Sequence, residues 1–168
     1  VLDRAGLPGA LDALAGKKVR LDPEATPAWF AARLRAAGAE VVAGEDPCRL
    51  PRAMKNPVEQ AGARAAHKRD AVAVAEFLAW FADQAPKGAL TEMSAAQRLL
   101  EERRRRPGFV AEAFPAIAGS GPNGAIVHYR VTPATDRAIA ADECFLIDSG
   151  AQYPDGTTDI TRTLWTGP

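Results

Sequence analysis

The sequence predicts an α+β fold whose larger part begins with two helices and continues into strands, preceded by the tail of an α/β domain. Three observations carry this. Residues 19–43 read strand, helix, strand, the pattern that ends an α/β unit. Residues 57–106 hold two helical patterns separated by Pro86-Lys87-Gly88. Beyond Pro107-Gly108 the chain changes to short apolar runs punctuated by Gly and Pro, which read as strands. We place the boundary after residue 48, so that 1–48 is the C-terminal part of an α/β domain and 49–168 opens the α+β domain.

In chain order, Val19–Leu21 is a short strand broken by Asp22-Pro23. Thr26 is expected to cap a helix with Pro27 at its first position. Trp29, Phe30, Leu34 and Ala37 then recur near helical spacing, and Gly38 ends the element. Glu40–Ala43 is a second strand, and 44–56 is a connector containing Pro47, Cys48 and Pro51. A long helix is predicted over 57–84, capped by Asn56 and started by Pro57, with Glu59 favoured in its first turn by the helix dipole. Ala66, Ala73, Phe77, Leu78, Trp80 and Phe81 give it an apolar side, Gly62 weakens it slightly, and Asp70 and Asp83 read as polar positions. Thr91 caps a second helix running to about Arg106, with Ser94 in place of the Glu or Gln of a full capping box. The run Arg103–Arg106 reads as a solvated basic helix end. Phe114–Ala118, Ala125–Tyr129, Cys144–Ile147 and Thr157–Leu164 are the predicted strands.

Composition narrows the class. At 47% hydrophobic and 25% charged residues, the chain is that of a globular protein. Lys plus Arg and Asp plus Glu both total 21, so no net charge points to nucleic acid or an acidic surface. No apolar run approaches the roughly 20 residues of a membrane span, and the first residues carry no signal-peptide pattern. Cys48 and Cys144 are too few and too isolated for a disulfide scaffold and read as thiols of a reducing, cytoplasmic compartment. The start at Val1 without Met and the stop at Pro168 after a strand-like run both look like cuts through a larger chain.

The chemistry concentrates near the end. Phe145-Leu146-Ile147 is an apolar strand that delivers Asp148, and Pro154-Asp155-Gly156 is a turn. On the returning strand Thr157, Asp159, Thr161 and Thr163 share one face. A hairpin centred near Tyr153 sets Asp148 opposite Asp159; one centred on Asp155 offsets them. Facing carboxylates coexist if a divalent cation lies between them or if one keeps a proton, and oxygen ligands suit Mn²⁺ or Mg²⁺. Ordinary acidic turn and strand-end residues are the remaining reading of the same pattern. His128, near the end of its apolar run, is either structural or a donor to developing oxyanion charge. His67 reads as a helix-surface residue, and Ser149 has no histidine nearby to activate it.

Several blocks in order resemble the Xaa-Pro aminopeptidases, or aminopeptidase P, of the creatinase and methionine-aminopeptidase superfamily, and are most similar to the long, three-domain type. They are Met54-Lys-Asn-Pro-Val-Glu59 with Ala66-His67-Lys-Arg-Asp70, then Phe77-Leu-Ala-Trp80, Phe114 through Tyr129, and Leu146 through Thr163. The resemblance spans about residues 40–168. It implies the first half of a pita-bread catalytic domain. It implies Asp148 as the first metal ligand, Asp159 as the ligand bridging two ions, and His128 beside the scissile carbonyl. It further implies two divalent ions, commonly Mn²⁺, whose bridging water attacks the bond before proline, a peptide with proline in second position as substrate, and a parent that pairs as a homodimer. The remaining family ligands, one histidine and two glutamates, fall beyond this stretch, so the isolated chain is expected to lack peptidase activity. A half-domain is also expected to expose core surface and self-associate. Two other readings stay open: a non-catalytic pita-bread binding module, and a related enzyme such as a proline dipeptidase or methionine aminopeptidase.

Overall fold

The computed structural model describes residues 3–167, in two compact units that meet between Lys55 and Asn56. In the first, α1 (Leu7–Asp12) precedes a unit of β1 (Lys18–Leu21), α2 (Ala28–Ala36) and β2 (Glu40–Ala43). The strands pair in parallel, Lys18 with Glu40 through Leu21 with Ala43, as a strand-helix-strand crossover requires. Leu34 is its buried anchor on α2. Pro27, not Thr26, holds the N-cap position of α2, and no side chain caps it. The connector expected to be irregular contains a short helix, α3 (Arg49–Ala53), with Pro51 inside its first turn, where a missing N–H costs nothing.

The second unit opens with α4 (Pro57–Gln84) and α5 (Glu92–Arg104), which pack against a four-stranded sheet. Asn56 and Glu59 close a reciprocal capping box, so Glu59 does more than favour the dipole. Ser94 completes a second box with Thr91: its hydroxyl accepts from the Thr91 N–H at 2.8 Å, which corrects the expectation of an incomplete one. A serine hydroxyl has the reach when the chain is this tight.

The sheet is antiparallel. β4 (Cys144–Tyr153) lies between β3 (Ala111–Ser120) and the returning pair β5 (Gly156–Thr157) and β6 (Ile160–Trp165). Phe145, Ile147 and Ala118 face the helices and join Phe77, Phe81, Leu99 and Ile139 in the main core. Phe81 and Phe145 stack with ring centroids 5.0 Å apart, which locks α4 to the central strand. No helix among the described residues is long and apolar enough to cross a membrane.

Gly62 turns out to be required. A Cβ there would lie 2.1 Å from the backbone oxygen of Asp155, so the β4–β5 turn rests directly on α4. Gly62→Ala is therefore expected to destabilise the protein by about 1–3 kcal/mol through overpacking, outweighing the gain of roughly 1 kcal/mol that Ala brings to a helix. Urea unfolding of the two proteins measures the difference; an Ala variant as stable as the parent sequence would mean the turn is free to move away.

Candidate metal centre

Strand β4 alternates. Phe145, Ile147, Ser149, Ala151 and Tyr153 are buried, and Asp148 stands on the other face, half-buried. The hairpin pairs Gln152 with Thr157 and Ser149 with Ile160. Asp159 lies between those pairs, opposite Gly150, so it is offset by two residues from Asp148 and shares its face. The offset reading of the hairpin, with Pro154-Asp155 at the turn, is the one adopted. Gly150 makes it possible: a Cβ there would sit 2.1 Å from the Thr158 carbonyl oxygen and 3.0 Å from Ala113 Cβ.

Asp148, Asp159 and His128 line one cavity of about 430 Å³, with Phe114, Ile117 and Arg130. Oδ1 of Asp148 is buried and has no hydrogen-bond partner among the described residues. A buried carboxylate oxygen without a donor is costly unless a cation meets it. The donors that two aspartates offer are carboxylate oxygens, which fit a hard divalent ion such as Mn²⁺. Among the described residues no three His, Cys, Asp or Glu side chains close into a group able to hold a metal. Arg130 tethers itself to the Pro115 carbonyl at 3.2 Å and puts a cation on the cavity wall. Sequence reasoning overlooked it, along with Phe114 and Ile117 as wall residues.

His128 is exposed and is not on a strand, against expectation. Its φ of 55° lies in the left-handed region, and a 3₁₀ turn over Gly121–Ala125 precedes it. The reason is the carboxylate of Glu92, fully buried at the start of α5. It accepts from Ser120 N–H at 2.7 Å, from the Asn123 amide at 3.0 Å and from Arg137 N–H at 3.3 Å. Tyr129, the neighbour of His128, shares its one hydroxyl proton between the Thr135 carbonyl at 3.2 Å and Glu92 at 3.4 Å. These bonds draw the backbone out of the sheet and set the loop that presents His128.

The other end of that loop is tied by Glu143. It accepts from Arg137 at 2.6 Å, from Ala140 N–H at 2.7 Å and from the Ser120 hydroxyl. The Arg137 hydrogen bond, against burial and with help from Ser120 and Ala140, pulls its carboxyl from near 4.5 down to about 2. A folded value below the unfolded one stabilises the protein above pH about 4.5, and that contribution is lost as pH falls toward 2. Melting temperature followed from pH 5 to 2 should fall less steeply in Glu143→Gln than in the unaltered protein. Parallel curves would show that the carboxylate contributes no such term.

The basic run at the end of α5 is solvated only in part: Arg104 and Arg105 are exposed, as expected, but the first residue of the run is not. Arg103 is buried and forms a two-point pair with Asp70, itself buried on α4, at 2.9 and 3.0 Å. Asp70, read from sequence as an ordinary polar helix position, also accepts from the Tyr153 hydroxyl at 3.2 Å and the Thr158 hydroxyl at 2.8 Å. Burial first, and the Asp70 charge after it, push the Tyr153 phenol up to about 12, so it stays a donor. His67 bonds the Ala63 carbonyl at 2.8 Å on the helix surface, as expected.

A hairpin carrying two carboxylates thus lies beside a histidine-bearing loop, on a sheet backed by two helices. The chain belongs to metallopeptidase family M24, whose model matches residues 61–168. Its architecture is that of part of a pita-bread catalytic domain. It is 47% identical over 121 residues to aminopeptidase P2 of Arabidopsis thaliana, a match covering 71% of this chain and 17% of the plant protein. The X-prolyl aminopeptidase of Caenorhabditis elegans, described as a cytosolic enzyme with a di-nuclear active site, superposes with a TM-score of 0.70 at 25% identity over 89% of this chain and 32% of that one. The prolidase of Pyrococcus furiosus shares the fold, with a TM-score of 0.72 at 20% identity, covering 100% of this chain and 47% of that one. The chain spans less than a fifth of the length of the curated relatives it matches.

Proposed function

We propose that the protein containing this chain is a cytoplasmic, dimetal Xaa-Pro aminopeptidase, and that Asp148, Asp159 and His128 are this chain's contribution to its active site. The observation that carries the reading is the shared cavity with the orphaned Oδ1 of Asp148 on its wall. Asp148 and Asp159 would hold the divalent ions. When bound, the ions supply Lewis-acid polarisation of a peptide carbonyl and activate the attacking water. His128 stands on the same wall, outside the sheet, where its ring can donate a hydrogen bond to the carbonyl oxygen of the bond before proline as charge develops on it. Phe114 and Ile117 supply apolar surface that limits water around the carboxylates. The substrate is a peptide with proline in second position, and the subunits pair as a homodimer.

Two carboxylates and a histidine do not complete a dinuclear shell, so this chain by itself is expected to show no appreciable peptidase activity. The reading is tested on the full-length protein, stripped with chelator and reloaded with Mn²⁺, against Xaa-Pro peptides of two, three and five residues. Metal-dependent release of the first residue from the longer peptides is expected. Hydrolysis confined to the dipeptide would instead make it a proline dipeptidase. Mn²⁺ binding with no cleavage would make it a binding module.

A further inference from the structure

The hairpin that carries the two aspartates is interrupted where it matters. β5 ends at Thr157 and β6 begins at Ile160, so Thr158 and Asp159 lie outside the regular ladder. One backbone bond and one side chain hold the chain there. Thr158 is fully buried. Its hydroxyl accepts from the Ala151 N–H at 2.9 Å and donates to Asp70 Oδ2 at 2.8 Å, while its own N–H bonds the Ala151 carbonyl at 2.9 Å. On the facing strand, the Ser149 carbonyl receives Arg103 at 3.4 Å. The residue before Asp159 and the residue after Asp148 are thus tied to one buried ion pair. That pair sits on the helix side of the sheet, and both aspartates project from the opposite side.

We propose that Asp70, Arg103 and Thr158 are positioning residues that set the separation of Asp148 and Asp159 from behind the sheet. The inference rests on the reading of those two aspartates as metal ligands. Regular pairing stops at Thr157 and resumes at Ile160, and a single backbone bond, from the Thr158 N–H to the Ala151 carbonyl, spans the gap. The Thr158 hydroxyl adds a second tie, and its proton goes to Asp70, which Arg103 holds in place through a two-point pair. Outer partners of metal ligands typically change metal affinity by about 10–100-fold.

The test uses the full-length protein and reads Mn²⁺ affinity by calorimetry, with melting temperature and kcat recorded beside it. Thr158→Val keeps the branched shape and the strand preference and removes only the hydroxyl; Thr158→Ser keeps the hydroxyl. The Val variant is expected to bind Mn²⁺ about 10–100-fold more weakly and to lose kcat at saturating Mn²⁺ with little change in KM. The Ser variant is expected to stay within about threefold of the unaltered protein. A Val variant with unaltered affinity, or Val and Ser variants that lose affinity alike, would overturn the proposal. If the Val variant does not fold, Arg103→Lys serves: it keeps a charge beside Asp70 but withdraws the nitrogen that reaches Ser149. Its Mn²⁺ affinity is expected to fall about tenfold, and an unchanged value in the folded protein sinks the idea. Asp159→Asn separates the two layers of argument. If it retains full Mn²⁺ affinity, the metal reading itself fails; if it loses affinity while Thr158→Val does not, only the positioning role fails.

Discussion

Asp148→Asn in the full-length protein is expected to lower metal-dependent peptidase activity by more than about a hundredfold while leaving the metal-free fold at least as stable as before. Both halves follow from one atom. Oδ1 of Asp148 is buried and meets no donor among the described residues. Without a cation that oxygen is an uncompensated buried acceptor, and on an ionised group the penalty is larger. Asparagine has the same shape and no charge, so the penalty shrinks and the melting temperature of the apo protein should hold or rise. With metal present the balance reverses. A neutral amide oxygen is a weaker ligand than a carboxylate, and loss of a direct ligand costs more than the 10–100-fold that outer partners typically cost. Steady-state kinetics at saturating Mn²⁺, set beside calorimetric scans of the apo proteins, give the two numbers. Activity within about tenfold of the unaltered enzyme would remove Asp148 from the metal site. A large drop in apo melting temperature would make it a structural residue.

The elements most legible in the sequence were those with local chemistry at their ends. Asn56-Pro57 starts α4 and Pro86-Gly88 stops it, because caps and breakers act within a few residues of where they stand. The grouping of His128, Asp148 and Asp159 on one cavity wall was legible only from the order of the motif blocks, since periodicity alone left their chemistry open. What escaped was decided by distant partners. Ala125–Tyr129 has a strand's composition, yet Glu92, about thirty residues earlier, holds Asn123 just before it and the Tyr129 hydroxyl at its end, and the segment lies outside the sheet. Arg103 stands in a basic run that looks solvated, yet Asp70 on the other helix draws it inside. A signal for Asp70 was present. It falls on the stripe of Ala66, Ala73, Val74, Phe77 and Phe81, at spacings of four, three and four residues, and Arg103 follows Ala95 and Leu99 in the same way. A charged residue on the apolar stripe of each of two neighbouring helices, with opposite signs, is a buried pair waiting to be matched. Thr158 left no such trace, because its role depends on a break in the strand that only the register reveals.

Arg103→Met should therefore be among the most damaging single changes in the chain. The guanidinium is about 1% exposed and answers a carboxylate that is fully buried. Methionine fills much of the volume, so little of the loss is cavity; the loss is a buried anion left with only the Tyr153 and Thr158 hydroxyls as donors. Breaking one side of such a pair costs about 3–5 kcal/mol, about a fifth or more of the roughly 5–15 kcal/mol that a domain has in total. The double variant Asp70→Leu with Arg103→Met removes both charges and is expected to recover part of that loss, since an apolar pair of similar volume pays no desolvation. It will not recover all of it, because the Tyr153 and Thr158 hydroxyls and the Ser149 carbonyl then lack their partners. Denaturant unfolding of the two single variants and the double completes the cycle. Strongly positive coupling, with the double more stable than Arg103→Met alone, is the expected result. Additive losses would mean that the two side chains, three ångströms apart in the fold, do not act as a pair.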